Sequence, residues 1–210
     1  MRAARRARPG AALLVVDDGS RDDTAGVARR AGAAVLRLPY NLGYGAALQT
    51  GYLWASRHGF QAVAQMDADG QHEAGDLGRI LGPLERGKAD LVIGSRYLGG
   101  SSYRGGAVRR LGSRFFAALA SLFTGQRLTD PTSGFKAVSG ALIEVFASRV
   151  YPPDYPDADL LIYLKRRGFR LMEVPVRMRP NSKPHTMHSG WRPLYYLAKV
   201  MLSLFLNLLR

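Results

Sequence analysis

Cysteine is absent from this chain of 210 residues, which excludes disulfides and thiolate metal sites and leaves the redox compartment unread. Acids are scarce too. Only 16 Asp and Glu stand against 30 Lys and Arg, a formal net charge of +14 that points to anionic partners, either a membrane surface or nucleic acid. Internal repeats and low-complexity blocks are missing. Met1-Arg-Ala-Ala-Arg-Arg-Ala-Arg8 is basic, but no apolar segment of adequate length follows it, so it does not read as a secretory signal. The expected location is cytoplasmic, peripheral on the inner face of the cell membrane.

What remains is ordinary for a folded domain: 47% hydrophobic and 22% charged residues, enough for one sizeable core. The cations are uneven. Lys165, Arg166, Arg167, Arg170, Arg177, Arg179, Lys183 and Arg192 face the single acid Glu173 in their stretch, and Pro193–Arg210 follows as an apolar helix with Lys199, Ser203 and Asn207 on one face. That helix falls short of the ~20 residues a span needs. It suits the membrane interface, a helix of a membrane partner protein, or the domain's own core. Nucleic acid is disfavoured, because the basic residues lack interleaved aromatics for stacking. The expected organisation is a domain over 1–192 and an amphipathic membrane-interface helix over 193–210.

Two apolar runs end on paired acids and a glycine turn. Leu13-Leu-Val-Val16 reaches Asp17-Asp18-Gly19-Ser20, and Ala62-Val-Ala-Gln-Met66 reaches Asp67-Ala68-Asp69-Gly70-Gln71-His72. Continuous apolar runs suit buried parallel strands. Between them lie a helix from Thr24 to Ala31, a strand at Val35–Leu38, a glycine turn at Asn41–Gly45 and a helix from about Ala46 to His58. This alternation predicts a mainly parallel α/β sheet flanked by helices, with ligands beyond the carboxyl ends of the strands. Two carboxylates at i and i+2 just past a strand can converge there on one hard divalent cation such as Mg²⁺ or Mn²⁺.

Five segments occur in order: Val15-Val-Asp-Asp-Gly-Ser20, Asn41-Leu-Gly-Tyr-Gly-Ala-Ala47, Asp67-Ala-Asp-Gly-Gln-His72, Gly94-Ser-Arg-Tyr97 and Asp130-Pro-Thr-Ser-Gly-Phe135. Together they resemble the inverting family-2 glycosyltransferases of the GT-A (Rossmann-like) fold, in the subgroup of dolichyl- and polyprenyl-phosphate mannosyl- and glucosyltransferases. The likeness covers about residues 12 to 192. It implies a nucleotide diphosphate sugar donor (GDP-mannose or UDP-glucose), a polyprenyl-phosphate acceptor and Mg²⁺ or Mn²⁺. Such relatives begin with a strand and a Pro-x-Tyr-Asn-Glu-like turn that are not seen here, so residues 1–10 read as the tail of the first helix. Either the true start lies upstream or a neighbouring strand closes the gap beside Asp17 and Asp18.

The resemblance also assigns roles. Asp67 and Asp69 hold or orient the metal, with Gln71 as a third oxygen donor and His72 as a surface or supporting residue. Asp17 and Asp18 accept hydrogen bonds from the base or ribose, or else form a capping turn. Gly43 and Gly45 let backbone approach the nucleotide, or simply enter the helix. Arg96 faces an anionic substrate, and Arg109 with Ser113, one helical turn apart, holds the acceptor phosphate, with Arg110 as the alternative register. Asp130 lies near the donor sugar or phosphate, and Arg177–Lys183 is a loop whose cations close on the diphosphate.

A lipid phosphate is already ionised and attacks without a general base, whereas a hydroxyl acceptor needs a carboxylate. Asp157 and Asp159 are the candidate acids in the late loop, where helix capping is the weightier explanation and a base or supporting role the lesser one. The expected function is therefore metal-dependent hexose transfer to a polyprenyl phosphate at the membrane. The alternatives are transfer to a hydroxyl of a cell-wall glycan, or an inactive membrane-docking subunit.

Overall fold

A computed structural model describes residues 1–100, 107–149, 151–152 and 158–179 of the chain. Helix α1 (Arg2–Ala7) precedes strand β1 (Leu14–Asp17), after which come α2 (Thr24–Arg30), β2 (Ala34–Arg37), α3 (Tyr44–Arg57) and β3 (Ala62–Gln65). The chain continues through α4 (Leu77–Glu85), β4 (Leu91–Ser95), α5 (Ala107–Thr124), β5 (Lys136–Ser139), α6 (Gly140–Ala147), α7 (Ala158–Arg166) and β6 (Leu171–Pro175). The α/β alternation expected from the sequence is present. Helix α3 opens two residues before the expected Ala46, because Gly43 at φ +98° makes the turn that only glycine adopts freely.

The strands form two sheets. Strand β1 pairs with β2 in parallel, and a second sheet has the order β3-β5-β4-β6. Strands β4 and β6 are parallel, but β5 runs antiparallel to both of its neighbours. The reversal follows from the path of the chain: β5 starts with Lys136 beside Gln65 and Ile93, at the ends of β3 and β4, so residues 130–135 enter from that rim. Among the described residues β1 and β3 each have one strand neighbour, and no strand occupies the expected gap beside Asp17. Helix α3 lies against β1 and reaches β3 through Tyr52. The proposed helix over 193–210 lies outside the described residues.

Strand β4 is buried along its whole length, and its alternating side chains supply two cores. Leu91 and Ile93 pack with Tyr52, Leu142, Phe146 and Leu161 on one face. Val92 turns to Ile80, Phe135, Ala137 and Val176 on the other. Each fully buried aliphatic side chain here stabilises the fold by about 1.5–3 kcal/mol relative to exposure.

At the end of the sheet away from the acidic rim, Arg170 leads into β6 and clasps Asp90 in front of β4. Its backbone N, Nε and Nη2 all donate to the Asp90 carboxylate at 2.8–3.0 Å. The side-chain hydrogen bond from Arg170, against a smaller opposing effect of burial, holds the Asp90 carboxyl below its ordinary value. The stability this contributes is present above the unfolded carboxylate pKa of ~3.9 and is lost as pH falls through the lower folded value. Replacing Arg170 by Ala is therefore expected to lower Tm at neutral pH, with the gap to the native chain closing below about pH 4. Thermal melts at pH 7, 5 and 3 check this.

Candidate active site

Strand β3 delivers its last residues into a polar network. Buried Tyr52 donates to Gln65 Oε1 at 2.7 Å, and Gln65 Nε2 donates to Tyr44 Oη at 3.2 Å and to the Gly134 carbonyl at 3.0 Å. Tyr44 in turn donates to Asp67 Oδ1 at 3.0 Å. His72 Nε2 stands 3.4 Å from Asp67 Oδ2, while its Nδ1 is buried without a hydrogen bond. Burial pushes the Asp67 carboxyl up, but the hydrogen bond and charge of His72, the Tyr44 hydroxyl and the charge of Lys136 outweigh it, and the net shift is downward. Asp67 is thus kept ionised. Asp69 is exposed and accepts from Gln71 N at 2.9 Å and Gln71 Nε2 at 2.8 Å, closing the glycine turn on itself.

The two acids after β1 diverge. Asp17 is buried, with Oδ1 accepting from Ser20 N at 2.9 Å and Oδ2 facing Arg37 Nε at 3.4 Å without a hydrogen bond. The Ser20 hydrogen bonds chiefly, with help from the Arg37 charge, hold its carboxyl below the ordinary value against burial. Asp18 instead accepts from the backbone N of Leu42 at 2.7 Å and of Gly43 at 3.0 Å. It therefore anchors the turn that opens α3, and Gly45 is buried in the first turn of that helix. Because Gly43 is held by Asp18 and its neighbour Tyr44 holds Asp67, the two acidic strand ends are joined through two consecutive residues.

Beyond β4, Arg96 is turned onto Asp130. Arg96 N, Nε and Nη2 reach the fully buried Asp130 carboxylate at 2.8, 2.7 and 2.6 Å, and Nη2 also donates to Thr132 Oγ1 at 3.2 Å. The guanidinium expected to face a substrate anion thus carries a buried partner of opposite charge. Glu173 of β6 accepts from Thr129 N at 2.7 Å, Thr129 Oγ1 at 2.8 Å and Asp130 N at 2.7 Å. Burial pushes the Glu173 carboxyl up, and these donors offset only part of the effect. Tyr97 Oη donates to Ser113 Oγ of α5 at 3.2 Å.

The loop after β6 is paired at its start. Arg177 N donates to Asp76 Oδ2 at 2.7 Å, Met178 bridges His72, Arg179 N donates to the Gln71 carbonyl at 2.8 Å, and the Arg179 guanidinium pairs with Glu73. Lys183 and Asp157 lie outside the described residues, as do the side chains of Arg109 and Arg110. Asp159 is buried in the first turn of α7 and accepts from Leu160 N at 2.9 Å.

Asp67 and the Asp130–Phe135 segment meet closely. A Cβ added to Gly134 would stand 2.3 Å from Asp67 Oδ2, so the glycine is what admits the carboxylate. The contact completes a path from Asp18 through Tyr44, Asp67 and Gly134 to Asp130 and Arg96. Tyr44, Gln65, Thr129 and Glu173 were not singled out for the site from the sequence. Two signals were available: Tyr44 lies inside the Asn41–Ala47 motif, and Glu173 is the one acid of a basic stretch.

The donor set suits a hard cation. Asp67 and Asp69 are carboxylates, Gln71 offers an amide oxygen, and among the described residues no group of three or more His, Cys, Asp or Glu side chains converges. Two carboxylates with the remaining positions left to water and phosphate oxygens is how Mg²⁺ and Mn²⁺ are usually held beside a nucleotide.

Comparison with known proteins gives the same direction. The family model described as Glycosyl transferase family 2 matches residues 3–149. The chain is 36% identical over 173 residues to the polyprenol monophosphomannose synthase of Mycolicibacterium smegmatis, covering 78% of this chain and 65% of that protein. It is 32% identical over 194 residues to the undecaprenyl-phosphate mannosyltransferase of Micrococcus luteus, covering 89% and 79% respectively. Among solved structures, glucosyl-3-phosphoglycerate synthase from Mycobacterium tuberculosis in complex with Mn²⁺ and uridine-diphosphate-glucose superimposes with a TM-score of 0.67. It is 25% identical, over 91% of this chain and 67% of that one.

The close approach of Gly134 to Asp67 makes a specific demand. Gly134→Ala forces the Asp67 carboxylate to move, and Mn²⁺ affinity, read by electron paramagnetic resonance, is expected to fall about tenfold or more, the order of loss seen when groups that orient metal ligands are changed. A variant that binds Mn²⁺ as the native chain does would place Asp67 outside the cation site.

Proposed function

The chain belongs to glycosyl transferase family 2, and on that premise we propose that it transfers a hexose from a nucleotide diphosphate sugar to a polyprenyl phosphate, with inversion, at a membrane surface. The observation that carries this reading is the meeting of Asp67, Asp130 and Arg96 at one rim, joined through Tyr44 to the Asp17–Asp18 strand end. The names of the two relatives, one for a polyprenol monophosphomannose product and one for an undecaprenyl-phosphate acceptor, support the acceptor class.

In this reading Asp17 and the Asp18-anchored turn receive the base and ribose, with Gly43 and Gly45 giving close backbone approach. Asp67, Asp69 and the Gln71 oxygen would hold Mg²⁺ or Mn²⁺. A divalent cation bound there supplies charge neutralisation for the departing nucleoside diphosphate. His72 and Tyr44 keep the Asp67 carboxylate oriented and ionised. Arg96, set by Asp130, together with Arg109 and Ser113, receives the acceptor phosphate.

An ionised phosphate oxygen attacks the anomeric carbon in line. One carbon–oxygen bond forms as the bond to the diphosphate breaks, and no proton need be removed. Positioning and electrostatics then carry the rate. The position of Asp159 favours this acceptor over a hydroxyl, since its carboxylate accepts from the backbone of its own helix start.

No helix among the described residues is long and apolar enough to cross a membrane. The excess of cations supports docking on an anionic surface, on the cytoplasmic face, through the basic stretch and the helix proposed over 193–210. A membrane protein partner for that helix belongs to the same proposal.

The deciding experiment is a donor screen with GDP-mannose, UDP-glucose and dTDP-sugars against undecaprenyl phosphate in anionic vesicles, with and without Mn²⁺. Transfer is expected from one of these donors and is expected to be abolished by EDTA. Asp67→Asn and Asp69→Asn are each expected to lower kcat by about 10²-fold or more. Arg109→Ala is expected to cripple transfer to the lipid phosphate; equal loss with a hydroxyl acceptor would count against the phosphate assignment. Transfer indifferent to EDTA would overturn the metal-dependent reading.

A further inference from the structure

Glu173 is a half-buried carboxylate that the mechanism above does not use. It sits on β6 opposite Ile93 of β4, and its two oxygens are taken entirely from one side: Oε1 by the backbone N of Asp130, Oε2 by the backbone N and hydroxyl of Thr129. A carboxylate only accepts. The Thr129 hydroxyl must therefore donate to Glu173, and in the 2.6 Å contact between Ser95 Oγ and Thr129 Oγ1 the proton must come from Ser95. Ser95 Oγ is then left to accept from the backbone N of Tyr97 and Leu98, both at 3.2 Å.

One carboxylate thereby sets the direction of a hydrogen-bond chain running through both flanks of the Arg96–Asp130 pair. On one flank it fixes the backbone of Asp130; on the other, through Thr129 and Ser95, it fixes the turn that carries Arg96. Asp130 has no exposed surface and accepts three donors from Arg96, so a small rotation of either backbone breaks a buried ion pair. We propose that Glu173 is the positioning residue of the acceptor side, locking the Thr129–Asp130 backbone and the Ser95–Leu98 turn in the one register in which Asp130 holds Arg96 toward the acceptor phosphate. The proposal rests on the assignment of Arg96 to the acceptor made above.

Glu173→Gln keeps the shape but lets the amide both donate and accept, so one backbone N–H loses its acceptor and the chain loses its fixed direction. Transfer to undecaprenyl phosphate in phosphatidylglycerol vesicles is expected to show kcat lowered ~10- to 100-fold, the scale of a small misplacement of reacting groups. Acceptor KM should rise while donor KM stays within about twofold, a split that general destabilisation would not give. Thr129→Val should reproduce part of the loss and Thr129→Ser, which keeps the hydroxyl, should restore it. A readout independent of turnover is the Arg96 Nε–H signal in ¹⁵N NMR. In Glu173→Gln that signal is expected to shift and lose protection from hydrogen exchange.

Kinetic constants and an Arg96 signal unchanged in Glu173→Gln would overturn the proposal, as would parallel loss of donor and acceptor binding. If the native chain transfers nothing to undecaprenyl phosphate, the acceptor assignment fails, and the NMR arm still decides whether Glu173 sets Arg96.

Discussion

Asp130 carries a charge with no exposed surface, and Arg96 satisfies it with three donors, two from the guanidinium and one from the backbone. Removing a carboxylate from water costs several kcal/mol even after relaxation, and only a well-formed partner returns it. The pair therefore constrains everything around it. Its two halves come from segments 34 residues apart, so the end of β4 and the loop before β5 must meet in one register. Reversed strand β5 makes that possible, because its antiparallel run begins at the rim where β3 and β4 end. A parallel β5 would put the Asp130–Phe135 segment at the far end of the sheet.

The same loop carries Gly134 into contact with Asp67, so one segment serves two neighbours at once. Through Asp130 it holds the buried ion pair, and at Gly134 it leaves room for the carboxylate after β3. Tyr44 extends the arrangement across the break between the two sheets. Strands β1 and β3 share no hydrogen bonds, yet the start of α3 is held to β1 by Asp18 and reaches Asp67 with the Tyr44 hydroxyl. A helix terminus thus does the joining that a continuous sheet would otherwise do. Asp18 and Tyr44 act as structural links between the two strand ends.

Much of the rim was legible in the sequence for a local reason. An apolar run that stops on acids and a glycine turn marks a strand end within a few residues, so Asp17, Asp18, Asp67 and Asp69 could be placed without knowing their neighbours. The relations across the chain were not legible. Lys136–Ser139 is four residues long and passes straight into α6, leaving no pattern from which its direction could be read. Arg96 could be assigned to the rim, but its partner Asp130 is an attribute of three-dimensional packing. Glu173 stood out only as an acid among cations, because the groups that give it a role lie 43 and 44 residues away. Gln65 and Tyr52 read as polar atoms in apolar elements until the fold brings them to one another at 2.7 Å.

Charge balance supplies a last constraint on the chemistry. The chain is strongly basic as a whole, yet Asp17, Asp18, Asp67, Asp69, Glu73, Asp76, Asp130 and Glu173, half of its 16 acids, lie in the segments that meet at the rim. Several nearby cations are already engaged: Arg96 with Asp130, Arg37 beside Asp17 and Arg179 with Glu73. A nucleoside diphosphate brought to such a rim would meet further negative charge, and at close range unscreened like charges repel by more than a few neutral hydrogen bonds return. A divalent cation held by Asp67 and Asp69 would change the sign of that balance. The charges of the rim thus support the metal in the proposed function, beside the spacing of the two aspartates that first suggested it.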